Sequence, residues 1–389
     1  MFSTELINKL KKFNTPFYFY DTDLLHKTLF AIKEAASLFQ YNIHYALKAN
    51  ANPKLLKIIS SYGFGADCVS GNEIERALHC GFSSDKIVFA GVGKTDLEIK
   101  LSIEKHIYSI NCESLEELEV VNSIASKENK RVRVALRINP NVDAKTHKNI
   151  TTGLTVNKFG LSIDDLHRIM SKIDKYKNLH MDGLHFHIGS QINNLNVFSE
   201  LSKKVNTIQS YLEEYNFYPN HINLGGGLGI NYQKPEDQIP DFQAYFKIFA
   251  NNLNVNANQS IHFEPGRSII GQSGMLLTRV LYTKETENGK LIIVDAGFTE
   301  LIRPALYQAQ HKIVNLSSND CNETYDIAGP ICETSDYFGR SVKLPRTKRG
   351  DLIAIMSVGA YGETMASQYN LRSLAPSFYN DVISYSALI

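Results

Sequence analysis

Short β-rich runs recur up to about residue 266, and the segments between them have helical spacing; this alternation constrains the fold more than any other feature. The runs are "IHYALKA" (43–49), "GADCVS" (65–70), "IVFAG" (87–91), "IYSINC" (107–112), "RVALRINP" (133–140), "MDGLHFHIG" (181–189), "HINLGGG" (221–227) and "HFEPG" (262–266), eight in all. Among the intervening segments are "NPKLLKIISSY", "GNEIERALHC" and "ESLEELEVVNSIAS", the last with Ser114 and Glu117 placed as a capping box. Eight strand–helix units predict an α/β chain built on a (β/α)8 TIM-type barrel, with its chemistry at the C-terminal ends of the strands.

Beyond residue 266 the pattern changes to strands with turn signals, "GMLLTRVLY", "KLIIVDAG" and "DLIAIMSVGAY". This predicts a second, mainly β C-terminal domain, and the strand-like "TPFYFYD" near the N-terminus is placed to join it. The expected division is a barrel over 22–266 and a β domain of 1–21 with 267–389. A length of 389 residues, 43% hydrophobic and 21% charged, suits two globular domains. Forty-one basic against 40 acidic residues leave a net charge of +1, so no nucleic-acid or anionic-membrane footprint is expected and the partner is a small molecule. No apolar run approaches the roughly 18 residues of a membrane span, and the charged N-terminus offers no signal-peptide core; the expected compartment is the cytoplasm. The five cysteines, 68, 80, 112, 321 and 332, form no C-x-x-C pair, which argues against a disulfide framework or zinc knuckle and predicts mostly small core residues.

Lys48 closes the first apolar run. A buried ammonium is costly unless paired, so it is either a snorkelling or salt-bridged lysine or a functional one at the barrel mouth, where a positive, partly desolvated setting would lower its pKa. "GGG" (225–227) ends the seventh run and "EPGR" (264–267) the eighth. Bare backbone can approach a phosphate there, although a tight turn explains a glycine run as well. Lysine, anion cradle and carboxylate are the three parts of a pyridoxal phosphate site. In "HFHIGS" the strand period puts His185 and His187 on one face, which suits a metal pair, a structural role or an imidazole packed on a cofactor ring. Barrel metallohydrolases carry such a pair on the first strand; here it lies on the sixth, and no metal is expected.

An ordered series of motifs, "YALKAN", "GFGADCVSGNE", "VNKFG", "GLHFHIGSQI", "LGGGLGI", "EPGR", "GPICETSD" and "GAYG", spans nearly the whole chain. In this the chain resembles the fold-type III pyridoxal phosphate-dependent decarboxylases, most closely the branch acting on meso-2,6-diaminopimelate. The resemblance implies an alanine-racemase-like barrel with a β domain, pyridoxal 5'-phosphate as cofactor, and conversion of meso-diaminopimelate to L-lysine and carbon dioxide, the last step of lysine biosynthesis. Relatives acting on ornithine, arginine or carboxynorspermidine share the lysine, glycines and cysteine. A non-catalytic homologue would lack the lysine or the cysteine, and both are present.

Carried over to this sequence, the resemblance implies that Lys48 forms the Schiff base to the cofactor and His187 packs on its ring. Ser190, Gly226, Gly227 and the backbone of Gly266 and Arg267, with the Tyr361 hydroxyl, would hold the phosphate, and Glu264 would face the pyridine nitrogen. Arg267, Arg303, Tyr307, Glu333 and Tyr361 would recognise substrate, an arginine fork suiting its distal carboxylate. Cys332 resembles the acid that protonates the carbanionic carbon, on a loop that reaches the neighbouring subunit's site in this family, which implies a homodimer with shared sites. "CETSD" departs from the more usual C-E-S-G-D, and "SLAPSF" stands where Pro-Arg-Pro is common. Asp67 and Arg137 also end barrel strands and either support the lysine or ring or form strand-end salt bridges.

Overall fold

The computed structural model describes residues 3–143, 158–287 and 289–380. The chain divides into two compact units, one of residues 29–229 and 240–266, the other of 1–28, 230–239 and 267–389.

The first unit is a closed barrel of eight parallel strands: Asn42–Ala46, Gly65–Cys68, Ile87–Phe89, Ser109–Cys112, Val132–Arg137, Leu179–His185, His221–Asn223 and Ser260–Phe263. They pair in sequence order, and the first closes on the eighth with Asn42 opposite His262. Helices Pro53–Ser60, Gly71–His79 and Leu115–Lys127 follow where the sequence predicts them, each started by a side-chain cap, from Asn52, Ser70 and Ser114. The capping box at Ser114 is only half formed. Ser114 caps the Glu117 N–H, but the Glu117 carboxylate reaches the Glu113 N–H at 2.7 Å and the buried Lys94 ammonium at 2.5 Å instead. A charged partner outcompetes a second backbone donor.

Alternation along the strands places Ile43, Tyr45, Ala66, Cys68, Ile110, Cys112, Val134 and Leu136 on one buried face. The other face carries mostly polar or very small residues: His44, Gly65, Asp67, Ser109, Asn111, Ala135, Arg137, Gly183, His185, His221, Asn223 and His262. This departs from the branched apolar filling usual in such barrels. Glycine makes the room: a Cβ at Gly183 would stand 2.0 Å from the His221 ring, and one at Gly65 2.4 Å from that of His44.

At the barrel's foot the protons can be placed. The Lys86 carbonyl, 2.9 Å from His44 Nδ1, only accepts, so His44 carries its proton there. His262 Nδ1 then donates to His44 Nε2 at 2.8 Å, and the Ser260 hydroxyl donates to His262 Nε2 at 2.8 Å. Burial holds His44 down from 6.5 to about 4 despite Glu264 and the Lys86 carbonyl, which act the other way. Unfolded histidine takes its proton first as pH falls, so stability is lost progressively from pH 6.5 down to about 4. His44 alone accounts for roughly 3 kcal/mol of that loss. Denaturant midpoints from pH 7 to pH 4.5 should drop more steeply for the parent than for His44→Gln; equal slopes would rule this out.

In the second unit the longest strand, Gly274–Thr286, pairs antiparallel with Phe17–Tyr20, Gly289–Val294 and Leu352–Ile355. Asn322–Ala328 runs parallel to Gly289–Val294 and antiparallel to Tyr337–Pro345, while Ile313–Asn315 borders Leu352–Ile355. The N-terminal strand also pairs, in parallel, with Ser377–Tyr379. Phe17 and Phe19 pack with Leu10, Met275, Leu277, Leu352 and Ala354. The alternate Tyr18 and Tyr20 hydroxyls donate to the Glu300 carbonyl and the Glu363 carboxylate, each at 2.6 Å. Period-two alternation therefore lets four aromatic residues serve a core and a polar face at once.

Candidate active site

The chemistry in the barrel sits just past the strand ends. The first strand stops at Ala46, and Lys48 lies on the single 3-10 turn Leu47–Ala49 that follows. Its Nζ is 2.7 Å from Oδ2 of Asp67, on the second strand. The setting of Lys48 is therefore anionic rather than positive. Asp67 is fully buried; burial, then the charge of Glu264, raise its pKa against the pull of Lys48. Of the two strand-end residues without an assigned role, Asp67 supports the lysine, and Arg137 forms a buried salt bridge with Glu113 at 2.6 Å. Glu113 also accepts from the Gly91 and Gly160 N–H groups, and the Arg137 guanidinium lies 4.7 Å from the Phe159 ring centre. Val156 and Asn157 of "VNKFG" lie outside the described residues.

Glu264 follows directly on the eighth strand and is buried. Its Oε1 accepts from Asn223 Nδ2 at 2.6 Å, and its Oε2 is 3.1 Å from His185 Nε2. Burial would push this carboxyl up; His185, by charge and hydrogen bond, and then Lys48 hold it well below the usual range, so it is a carboxylate. His187 lies two residues beyond the sixth strand, and its Nδ1 accepts from the Gly226 N–H at 3.2 Å. Burial, then Lys48 and Arg137, push its pKa well down, leaving a neutral ring. Among the described residues no group of three His, Cys, Asp or Glu side chains could hold a metal.

The glycine run is required by close approach. Gly225 and Gly227 have φ of +67° and +107°, and a Cβ on Gly226 would stand 2.2 Å from the Glu264 carbonyl. Gly266 packs as tightly, its Cβ position 2.9 Å from that of Ala49. Ser190 is half-buried, three residues past His187. A part-exposed lysine, a buried carboxylate, a neutral imidazole and side-chain-free backbone fit a pyridoxal phosphate group. Asp67 Oδ1 and His185 Nδ1 are moreover buried without hydrogen-bond partners among the described residues. Cavities of about 430 and 540 Å3 in this unit are lined by other residues, among them His44, Tyr108, Lys130 and Arg131, and hold none of these groups.

In the second unit Arg267, Arg303 and Tyr361 gather around Tyr232 and His311. Arg267 donates to the Tyr232 hydroxyl at 2.5 Å and lies 4.8 Å from the Tyr361 ring centre. Arg303 lies 4.8 Å from the Tyr232 ring centre and donates to His311 Nε2 at 2.8 Å. Burial, then Arg303, press His311 down to about 3, so its neutral ring donates from Nδ1 to the Met356 carbonyl. Arg303 is 4% exposed, and its Nε has no hydrogen-bond partner among the described residues. A buried guanidinium with a spare N–H is suited to a carboxylate. Tyr307 ends the same short helix, Arg303–Tyr307, and is half-buried.

Cys332 and Glu333 are exposed on a loop tied by Asp336, whose carboxylate accepts from the Ile331 and Phe298 N–H groups at 2.8 and 2.7 Å. The Tyr369 hydroxyl donates to Glu333 at 2.9 Å. Cys68, Cys80 and Cys112 are buried, whereas Cys321 and Cys332 are exposed. Sequence reasoning passed over Asn223, Tyr232 and His311, which carry no spacing signal, and read Asp336 only as the end of "CETSD", not as the tie of its loop. His185 was visible in the alternation of "HFHIGS", but its pairing with Glu264 was not.

The pattern described as "Pyridoxal-dependent decarboxylase, pyridoxal binding domain" matches residues 25–271. The diaminopimelate decarboxylase of Bacteroides thetaiotaomicron is 52% identical over 377 residues, 96% of this chain and 98% of that protein. The crystal structure of diaminopimelate decarboxylase from Helicobacter pylori complexed with L-lysine superposes with a TM-score of 0.90 at 39% identity, covering 96% of this chain and 93% of that one. That of M. jannaschii in complex with L-lysine gives 0.89 at 36%, covering 96% and 89%. The chain belongs to the pyridoxal-dependent decarboxylases, in the diaminopimelate decarboxylase family. It is a carboxy-lyase that uses pyridoxal 5'-phosphate.

Proposed function

We propose that the protein converts meso-2,6-diaminopimelate to L-lysine and carbon dioxide. The observation that carries this reading is Lys48 at the barrel mouth, paired with Asp67 and sharing its surroundings with the ionised Glu264, in a chain that matches diaminopimelate decarboxylases over nearly all its length. When bound, pyridoxal 5'-phosphate would supply the electron sink for the decarboxylation. Lys48 supplies the amine that carries the cofactor, and Glu264 keeps the pyridine nitrogen protonated. His187 offers a neutral face to the ring. Ser190, Gly226, Gly227, the backbone of Gly266 and Arg267, and the Tyr361 hydroxyl bind the phosphate.

Arg267, Arg303, Tyr307, Glu333 and Tyr361 recognise the substrate. The spare Nε of buried Arg303 supports a carboxylate contact, and Glu333 suits the distal ammonium. Cys332, exposed on its tied loop, delivers the proton to the carbon that has lost carbon dioxide. The functional barrel is residues 22–266, with 1–21 and 267–389 as the β domain, and the assembly is a homodimer whose loops complete each other's sites. The cytoplasm is the proposed compartment. The five free thiols support it, and no helix among the described residues is long and apolar enough to cross a membrane. Purified protein offered meso-diaminopimelate, ornithine, arginine and carboxynorspermidine should release carbon dioxide fastest from the first, with L-lysine as product. Preference for any of the other three would overturn the assignment.

A further inference from the structure

Glu264 is gripped by two side chains to which the proposed function gives no role. His185 and Asn223 are the last residues of the sixth and seventh strands, and the register sets them side by side. Asn223 Nδ2 lies 2.6 Å from Glu264 Oε1 and His185 Nε2 lies 3.1 Å from Oε2, with all three residues at most 4% exposed. Both donors are oriented. Asn223 Oδ1 accepts from the Gly225 N–H at 2.9 Å, which turns its amide nitrogen toward Glu264. A carboxylate only accepts, so His185 carries a proton on Nε2.

An ionised carboxylate at this depth is costly unless its oxygens are hydrogen-bonded. Here each oxygen has one donor from the chain itself, and each keeps a further lone pair for a bound group. The arrangement resembles the outer ligands that orient a metal's own ligands, applied to a carboxylate. We propose that His185 and Asn223 are positioning residues that hold Glu264 ionised and aimed, and that His185 sets how firmly Glu264 keeps the cofactor's pyridine nitrogen protonated. This rests on the role proposed above for Glu264.

The test compares parent, His185→Phe and His185→Gln holoenzymes, each reconstituted with cofactor labelled with 15N in the ring. Phenylalanine fills the space without a donor; glutamine restores an N–H. The phenylalanine variant should bind cofactor, move the ring-nitrogen signal toward that of unprotonated pyridine, and lower kcat about ten-fold or more with KM little changed. The glutamine variant should return both toward the parent. A parental nitrogen signal in His185→Phe, or a glutamine signal displaced as far as the phenylalanine one, would overturn the proposal. Should His185→Phe fail to fold, His185→Ala carries the same comparison with the same two outcomes. The nitrogen signal needs no substrate. A parent enzyme that ignores meso-diaminopimelate would therefore count against the proposed function while leaving this result readable.

Discussion

Lys48→Ala protein should lose turnover by roughly 1,000-fold or more, the scale on which a positioned reacting group acts. Borohydride treatment of the parent holoenzyme should fix the cofactor on a single peptide containing Lys48, and the variant should retain none. Labelling of another lysine would sink the assignment. The variant also leaves the fully buried Asp67 without its 2.7 Å partner. A buried charge stripped of its partner is destabilising, so thermal unfolding of the variant belongs beside the activity measurement. A folded, inactive, unlabelled protein is the expected outcome.

Cys332→Ala should leave cofactor binding intact and slow turnover by about 100-fold or more, with misdirected protonation and transamination as the by-product. Unchanged turnover would make the thiol structural. If the loop around Cys332 completes the partner's site, the two inactive proteins, Lys48→Ala and Cys332→Ala, should complement each other. Dissociated, mixed and reassociated, they should recover about a quarter of parental activity, since about half the dimers are mixed and each mixed dimer has one intact pocket. No recovery after confirmed subunit exchange would place both residues in one chain's pocket.

Much of the barrel was legible because its strands are short, β-rich and separated by segments with helical spacing, a purely local signal. The glycines were legible for a related reason: positions 225 and 227 need positive φ, and 226 tolerates no Cβ. The polar filling of the barrel was not legible. His44 and His262, far apart in sequence, bond each other at 2.8 Å only because the first strand closes on the eighth. Glu117 shows the same limit on a smaller scale. Its spacing from Ser114 suits a capping box, but Lys94, brought to it by the fold, takes the carboxylate.

Local order along the chain determined the alternation of elements, the lysine just past the first strand, the carboxylate just past the eighth and the cysteine loop, because each depends on neighbours within a few residues. The tertiary structure alone decided the electrostatics. Lys48 sits against a carboxylate rather than in a positive field, Glu264 is ionised because His185 and Lys48 are brought to it from elsewhere in the barrel, and Arg303 lies over the Tyr232 ring and donates to His311. A pKa or a hydrogen bond is set by burial and by what stands within a few ångströms, and those neighbours are fixed only when distant strands close into one barrel or one sheet.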